Sequence, residues 1–211
     1  MEELLLYLKS IQLVDIIEFI GTFAFAISGI RLAAAKEFDW FGAFVVGFVT
    51  AIGGGTIRDL LLDVTPFWMQ NPVYLYCTGL ALITVILFKN QLVRLNTPFF
   101  IFDTIGLALF VVVGIEKTII LDFPFWVVVV MGTITGVVGG IIRDILINEI
   151  PLIFRKEIYA LACVVGGAVY TICYKLNFND FVCELVTVVV ILTVRILAVK
   201  FQWGLPKLKE Q

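Results

Sequence analysis

The sequence predicts an all-α integral membrane protein. Seven transmembrane helices form two inverted three-helix repeats and a seventh helix, with the second and fifth helices kinked at glycines. Three observations predict this: the apolar composition, the rhythm of helix breakers, and a match of the chain to itself at an offset of 85 positions. Of 211 residues, 61% are hydrophobic and 15% charged, and the mean hydropathy is +1.07. Average soluble domains are about 25% charged, so a water-soluble globule, a disordered chain and a nucleic-acid binder are excluded. A spanning helix needs ~20 apolar residues, so about seven spans with short loops account for the length and no soluble catalytic domain fits.

Apolar runs mark helices near 13–33, 40–62, 73–88, 98–115, 124–147, 157–175 and 182–200. Lys36-Glu37, Thr65-Pro66, Lys89-Asn90-Gln91, Glu116-Lys117, Ile150-Pro151 and Asn177 to Asp180 separate them, as polar clusters and prolines do. Repeat one covers about 13–88, repeat two about 98–175 and the seventh helix about 182–200, all within one membrane domain. The alternative is a six-span protein with one re-entrant segment. The first apolar stretch is followed by further spans rather than a cleavage site, so it reads as a span and not a signal peptide.

Seven spans place the termini on opposite sides. Sorting the 15 Lys and Arg residues by side puts 4 with the N-terminus and 11 with the C-terminus. Basic residues accumulate on the cytoplasmic face, so the N-terminus is expected outside and the C-terminus in the cytoplasm.

At the offset of 85, 18 of the 64 positions from Ile16 to Gly79 are identical. Arg58-Asp59 falls on Arg143-Asp144, and Gly54-Gly55 on Gly139-Gly140. Gly21, Gly29, Gly47, Pro66 and Tyr74 fall on Gly106, Gly114, Gly132, Pro151 and Tyr159, and Glu18 falls on Asp103. Apolar composition alone does not align an Arg-Asp pair, five glycines and a proline. Three spans per copy is an odd number, so the second copy enters the membrane from the opposite side. Inverted repeats of this kind place a substrate or ion path near the midplane, on interrupted helices.

The glycine runs Gly53-Gly54-Gly55 and Gly139-Gly140 sit inside the second and fifth spans. Each glycine costs ~1 kcal/mol relative to alanine in a helix, so a kink or an unwound turn is expected. Broken backbone survives at membrane depth where protein or a watery cavity satisfies it, which suits a polar pathway. The other reading is close packing, because Gly132, Gly136 and Gly140 recur every fourth residue, as small residues at helix contacts do.

Charges inside spans mark watery interiors or ion paths. Glu18, Arg58, Asp59, Asp103, Arg143 and Asp144 are such charges. At ~1.5 Å rise per residue, Glu18 and Arg58 lie roughly 6–8 Å from one surface, and Asp103 and Arg143 the same distance from the other. Glu18 is therefore expected to face Arg58, and Asp103 to face Arg143. The alternative is that the arginines snorkel while the acids cap helix starts. Arg31 and Arg195, at helix ends, read as snorkelling residues. Trp40, Phe67, Trp68, Tyr74, Tyr76, Phe125, Trp126 and Tyr159 read as an interfacial aromatic belt, and the segment from Trp203 to Lys209 as a juxtamembrane anchor. The four cysteines, Cys77, Cys163, Cys173 and Cys183, form no C-x-x-C and read as packing residues. With no histidine, no nucleophile constellation and no metal spacing, neither enzymatic activity nor a cofactor or bound metal is expected.

Two three-span copies, each with a glycine run followed by Arg-Asp in its second span, resemble the prokaryotic branch of the trimeric intracellular cation channels, the TRIC family. The same repeat also goes under the name of a glycine-transporter domain. The resemblance covers about residues 13–200. It implies a homotrimer in the inner membrane, with a pore through each protomer that passes potassium and some sodium. Gly53, Gly54, Gly55, Gly139 and Gly140 would take the kink roles, and Arg58 and Arg143 would influence conduction or gating. The second run is one glycine short, and the Lys-Glu-Val motif of animal members is absent from the fifth span. A secondary carrier of a small solute such as glycine is the alternative, since inverted repeats and broken helices also suit carriers.

The charge asymmetry sets the first test. A reporter fused to the C-terminus is expected to give a cytoplasmic signal, and an extracytoplasmic signal would reverse the assigned orientation.

Overall fold

The computed structural model describes residues 13–93, 96–154 and 158–204. Seven main helices follow one another: α1 (Leu13–Ala35), α2 (Trp40–Leu61), α3 (Val73–Leu87), α4 (Asn96–Ile120), α5 (Phe125–Leu146), α6 (Ala160–Lys175) and α7 (Asp180–Lys200). Single turns of helix at Phe67–Gln70, Lys89–Leu92 and Leu152–Phe154 lie between them. Five of the seven, all but α3 and α6, are long and apolar enough to cross a membrane. The 15 residues of α3 and 16 of α6 span about 22–24 Å, short of a ~30 Å hydrocarbon core.

Local chemistry repeats as faithfully as the sequence. After α1 and α4 the chain turns through left-handed Glu37 (φ 62°) and Asp122 (φ 59°), and after α2 and α5 through Asp63 (φ 55°) and Asn148 (φ 57°). Both pairs are 85 apart. Backbone N–H groups of Phe38, Val64, Phe123 and Glu149 return to carbonyls five residues back, at Ala33, Asp59, Thr118 and Asp144. This is the helix-ending pattern in which a left-handed residue lets the last carbonyls be satisfied.

In the core, α1 packs on α2, α4 on α5, α1 on α4 and α2 on α5; α3 leans on the first pair, and α6 and α7 on the second. The contacts are reciprocal. A Cβ on Gly54 would strike the carbonyl of Thr135, and one on Gly139 would strike the carbonyl of Thr50. Gly106 lies against the ring of Phe25, and Gly21 against that of Phe110. Phe25 and Phe110 themselves meet edge to face at 5.2 Å. Each pair maps onto the other under the offset, so a two-fold axis relates the repeats and passes through this crossing. With three helices per copy, the axis lies in the membrane plane and the repeats are inverted.

Neither glycine run interrupts its helix: α2 is continuous from Trp40 to Leu61 and α5 from Phe125 to Leu146. The expected unwound turn is thus replaced by close packing. Intact backbone hydrogen bonds satisfy the helix internally, and the missing side chains let two helices touch backbone to backbone. Within the repeats the same device joins α1 to α2 at Gly29 and Gly47, and α4 to α5 at Gly114 and Gly132.

The belt assignment needs correction. Phe67, Tyr74 and Tyr159 are 8%, 6% and 2% exposed and belong to the interior, because Pro66 and Pro151 turn the chain back between the helices. Trp40, Tyr76 and Trp126 are 73%, 69% and 71% exposed, as belt residues are. Trp203 stacks on Phe201 at 5.9 Å; the rest of the expected anchor, from Leu205 onward, lies outside the described residues. All four cysteines are free thiols.

The crossing makes a sharp contrast between glycines. Gly54→Ala forces backbone against backbone and should cost ~1–3 kcal/mol as overpacking. Gly79 has open space where its Cβ would be, so Gly79→Ala should leave stability unchanged or raise it by up to ~1 kcal/mol. Thermal melting in detergent reads both; equal melting temperatures would refute the backbone contact.

Candidate ion pathway and its charge networks

Each Arg-Asp pair does the same local work. Nε of Arg58 donates to Oδ1 of Asp59 at 2.8 Å, and Nε of Arg143 to Oδ1 of Asp144 at 2.9 Å. The second carboxylate oxygen accepts the backbone N–H of the residue after the proline: Phe67 to Asp59 at 2.9 Å, Leu152 to Asp144 at 3.0 Å. These N–H groups open one-turn helices and have no partner within them. The Asp therefore pins the re-entering segment, and the Arg balances the Asp. All four charged residues are at most 3% exposed.

Beyond this shared unit the two ends differ. Arg143 also donates from Nη1 to Asp103 and, at 2.8 Å, to Oγ of Ser28. It thereby ties α5 to α4 and to α1 of the other repeat. Arg195 from α7 lies 4.0 Å from Asp103, stacks over Tyr159 at 4.7 Å and covers Phe100 at 5.4 Å. At the other end, Glu18 does not form an ion pair with Arg58 within 4.0 Å; its Oε2 accepts from the Tyr74 hydroxyl at 2.9 Å. The reason is local. Asp59 takes Nε and Nη2 of Arg58, the Phe67 ring covers the guanidinium at 5.8 Å, and Val113 stands where the second repeat's network uses Ser28. Lys117 from α4 completes that end with an ion pair to Asp59 at 3.1 Å.

Arg31 and Arg195 do not snorkel. They are 4% and 1% exposed, and Arg31 donates to the carbonyls of Leu92 at 2.8 Å and Val93 at 3.4 Å. Sequence position alone suggested a helix-end arginine reaching for headgroups. The signal missed was Phe99 and Phe100, three and four residues after Asn96, which set aromatic faces beside both arginines.

A cavity of about 580 Å³ opens at the Arg143 end, between the ends of α1, α5 and α7 and the start of α4. Arg31, Lys36, Glu149 and Arg195 line it, and Asp103 and Asp144 reach its wall. Lys36 and Glu149 join across its mouth at 2.6 Å. A Cβ on Gly140 would meet the Tyr159 hydroxyl at 2.9 Å. Gly53 packs towards Ile142 and Gly139, and Gly55 against the Phe67 ring. The glycines thus form the tight middle, and the charges occupy the two ends.

The arrangement is a shared one. The glycine-transporter family model matches residues 15–90 and 100–175, the two repeats. The inner membrane protein YadS of Escherichia coli K12 is 41% identical over 200 residues, covering 92% of this chain and 96% of its own length. A TRIC cation channel structure that addresses conductance is 38% identical with a TM-score of 0.85, covering 95% of this chain and 99% of its own. The TRIC orthologue from Rhodobacter sphaeroides is 29% identical with a TM-score of 0.86, covering 90% and 98%. The chain belongs to the prokaryotic TRIC channel family. It is accordingly a multi-pass inner membrane protein with a cation-channel fold, not an enzyme. The TRIC fold reaches animals as well: a Caenorhabditis elegans channel shares it at 12% identity and a TM-score of 0.62.

The asymmetry between the ends ranks two substitutions. Breaking a buried ion network by removing one partner costs about 3–5 kcal/mol, and Arg143→Gln should do so, since three other residues depend on it. Arg58→Gln leaves Asp59 with Lys117 and the Phe67 N–H, and should cost clearly less. Equal losses on melting would show that the extra partners of Arg143 carry no weight.

Proposed function

We propose that this TRIC-family protein is a potassium-permeable channel for monovalent cations, with a conduction path through each protomer of a homotrimer. The observation that carries the reading is the cavity leading from one end to a buried carboxylate, Asp103, while the pseudo-two-fold axis sets Glu18, Asp59 and Lys117 at the other end. A cation entering the cavity meets Glu149 and then Asp103, acids that offset the neighbouring cations. Between the ends lies the crossing of α2 and α5, where the Gly54 and Gly139 contacts make the narrowest point; passage requires those helices to part. Conduction needs sites that attract an ion yet release it, and carboxylates already shared with arginine meet that need.

The orientation is proposed with the N-terminus outside, so the cavity opens to the cytoplasm. The exposed apolar faces, with Trp40, Phe41, Leu60 and Ile120 among their residues, lie against lipid and neighbouring protomers.

A second reading has its own support. The cavity opens at one end and its wall presents both signs, Asp103 with Arg195, which suits the carboxylate and ammonium of a zwitterion such as glycine. A carrier would alternate between two such half-sites.

Planar-bilayer recording of purified protein separates the readings. Unitary currents reversing at the potassium potential are expected, with Asp103→Asn reducing the cation-over-anion permeability ratio several-fold in protein that still elutes as a folded trimer. Saturable glycine uptake without unitary currents would replace the channel by the carrier.

A further inference from the structure

Two buried acids take no part in this pathway. Glu116 lies one turn before the end of α4, and Glu184 one turn after the start of α7, each roughly 6 Å inside its helix end at ~1.5 Å per residue. The two helices pack together, and the two carboxyl groups are within hydrogen-bonding reach of each other. Glu116 is 8% exposed and Glu184 5%. The Tyr170 hydroxyl is the donor beside Glu116; Oε2 of Glu184 has no hydrogen-bond partner, and neither has the hydroxyl of fully buried Thr187 one turn further along α7. Among the described residues, no Lys or Arg forms an ion pair with either acid.

The cation of α6, Lys175, sits over the Phe125 ring at 4.7 Å. Tyr170 faces Glu116 from α6, and Glu184 and Asp180 face it from α7. From α1, Glu18 is held by Tyr74 and Arg31 by the Leu92 carbonyl; from α5, Arg143 and Asp144 are held at the far end. Lys117, next in sequence, points away to Asp59. The internal repeat offers no precedent, because the position equivalent to Glu116 is Arg31 and α7 has no counterpart.

Two carboxylates in one desolvated site cannot both stay ionised without a cation. We propose that Glu116 and Glu184 bind a proton between them, an acid–carboxylate clasp that fixes α7 against the second repeat. The proton sits on one carboxyl as O–H and is shared with an oxygen of the other. When that O–H bond breaks, the proton leaves to water at the nearby end of the helices, and two like charges remain to push α7 from α4. Thr187 and Tyr170 supply hydroxyls beside the pair. The same helix carries Arg195 to Asp103, so a loosened α7 also disturbs the cavity.

Infrared spectroscopy of the full chain in lipid vesicles tests the clasp. At neutral pH a protonated-carboxyl stretch that shifts in deuterium oxide is expected, equal in potassium and choline chloride, and smaller by one carboxyl in Glu116→Gln and in Glu184→Gln. Spectra of the variants identical to the wild type would overturn the proposal. So would a band that grows only when potassium is replaced by choline, which would make the pair a metal-cation site. Melting gives a second reading. The folded protein holds a proton that the unfolded chain releases, so wild-type stability should fall as pH rises above neutral. Glu116→Gln, whose amide can donate to Glu184, should show a flat profile; a decline as steep as the wild type would also overturn the clasp.

Discussion

Everything in this molecule is arranged around a backbone contact that leaves no room for a side chain. Gly54 against the Thr135 carbonyl, and Gly139 against the Thr50 carbonyl, bring α2 and α5 together at the pseudo-two-fold axis. In a bilayer, apolar surface gains little by leaving lipid for protein, so helix association rests on close packing. A single methyl on either glycine would separate the helices at the point where the two repeats join. The other glycine contacts, Gly29 with Gly47 and Gly114 with Gly132, apply the same device inside each repeat and orient α1 and α4 towards the axis.

With the middle closed by backbone, the buried charges of the Arg-Asp pairs lie at the ends, and there the Asp of each pair explains why the pair exists. One oxygen answers the arginine and the other answers an N–H that the re-entering segment could not otherwise satisfy. Removing that N–H from water without a partner would be expensive, and a lone carboxylate would be more so. The arginine, the aspartate and the proline eight residues after each arginine therefore form one unit, used twice. Asp144 and Asp59 are pins by geometry, and on the proposed channel reading the carboxylates open to a passing ion are those that hold no re-entering segment, Asp103 and Glu149 at one end and Glu18 at the other.

Much of the fold was legible because the periodicities were long and the repeat was ungapped. The seven helix positions, and the inverted repeat, followed from apolar runs and from an odd number of spans per copy. The limits of that reading are equally physical. Glycines in a helix signal weak backbone and close contact alike; the sequence could not say which, and here contact leaves α2 and α5 unbroken. Depth arithmetic brought Asp103 to Arg143 but also promised Glu18 to Arg58, because it measures height along the membrane and not direction around a helix. The longer Glu18 side chain finds Tyr74 instead. Tyr74, Tyr159 and Phe67 looked like belt residues since they flank spans, yet a proline that turns the chain inward converts a flank into core. The Asp-to-backbone bonds, at a separation of 8 residues, have no periodic signature and could be found only once the turn was known.

The seventh helix shows how a symmetric scaffold acquires a direction. It lies against α4 and α6 and has no counterpart against α1 and α3. At one end it delivers Arg195 to Asp103, and at the other Glu184 to Glu116. The Arg143 network thereby gains a positive charge and a cavity wall, while the opposite end takes its additional cation, Lys117, from within the repeat. Two half-sites that began as copies thus differ in charge, in depth and in what holds them. On the proposed channel reading, a cation crossing the membrane from one end to the other would meet unequal wells, and an unequal pair of wells is what would allow conduction in the two directions to differ even though the backbone around the axis is nearly the same from either side.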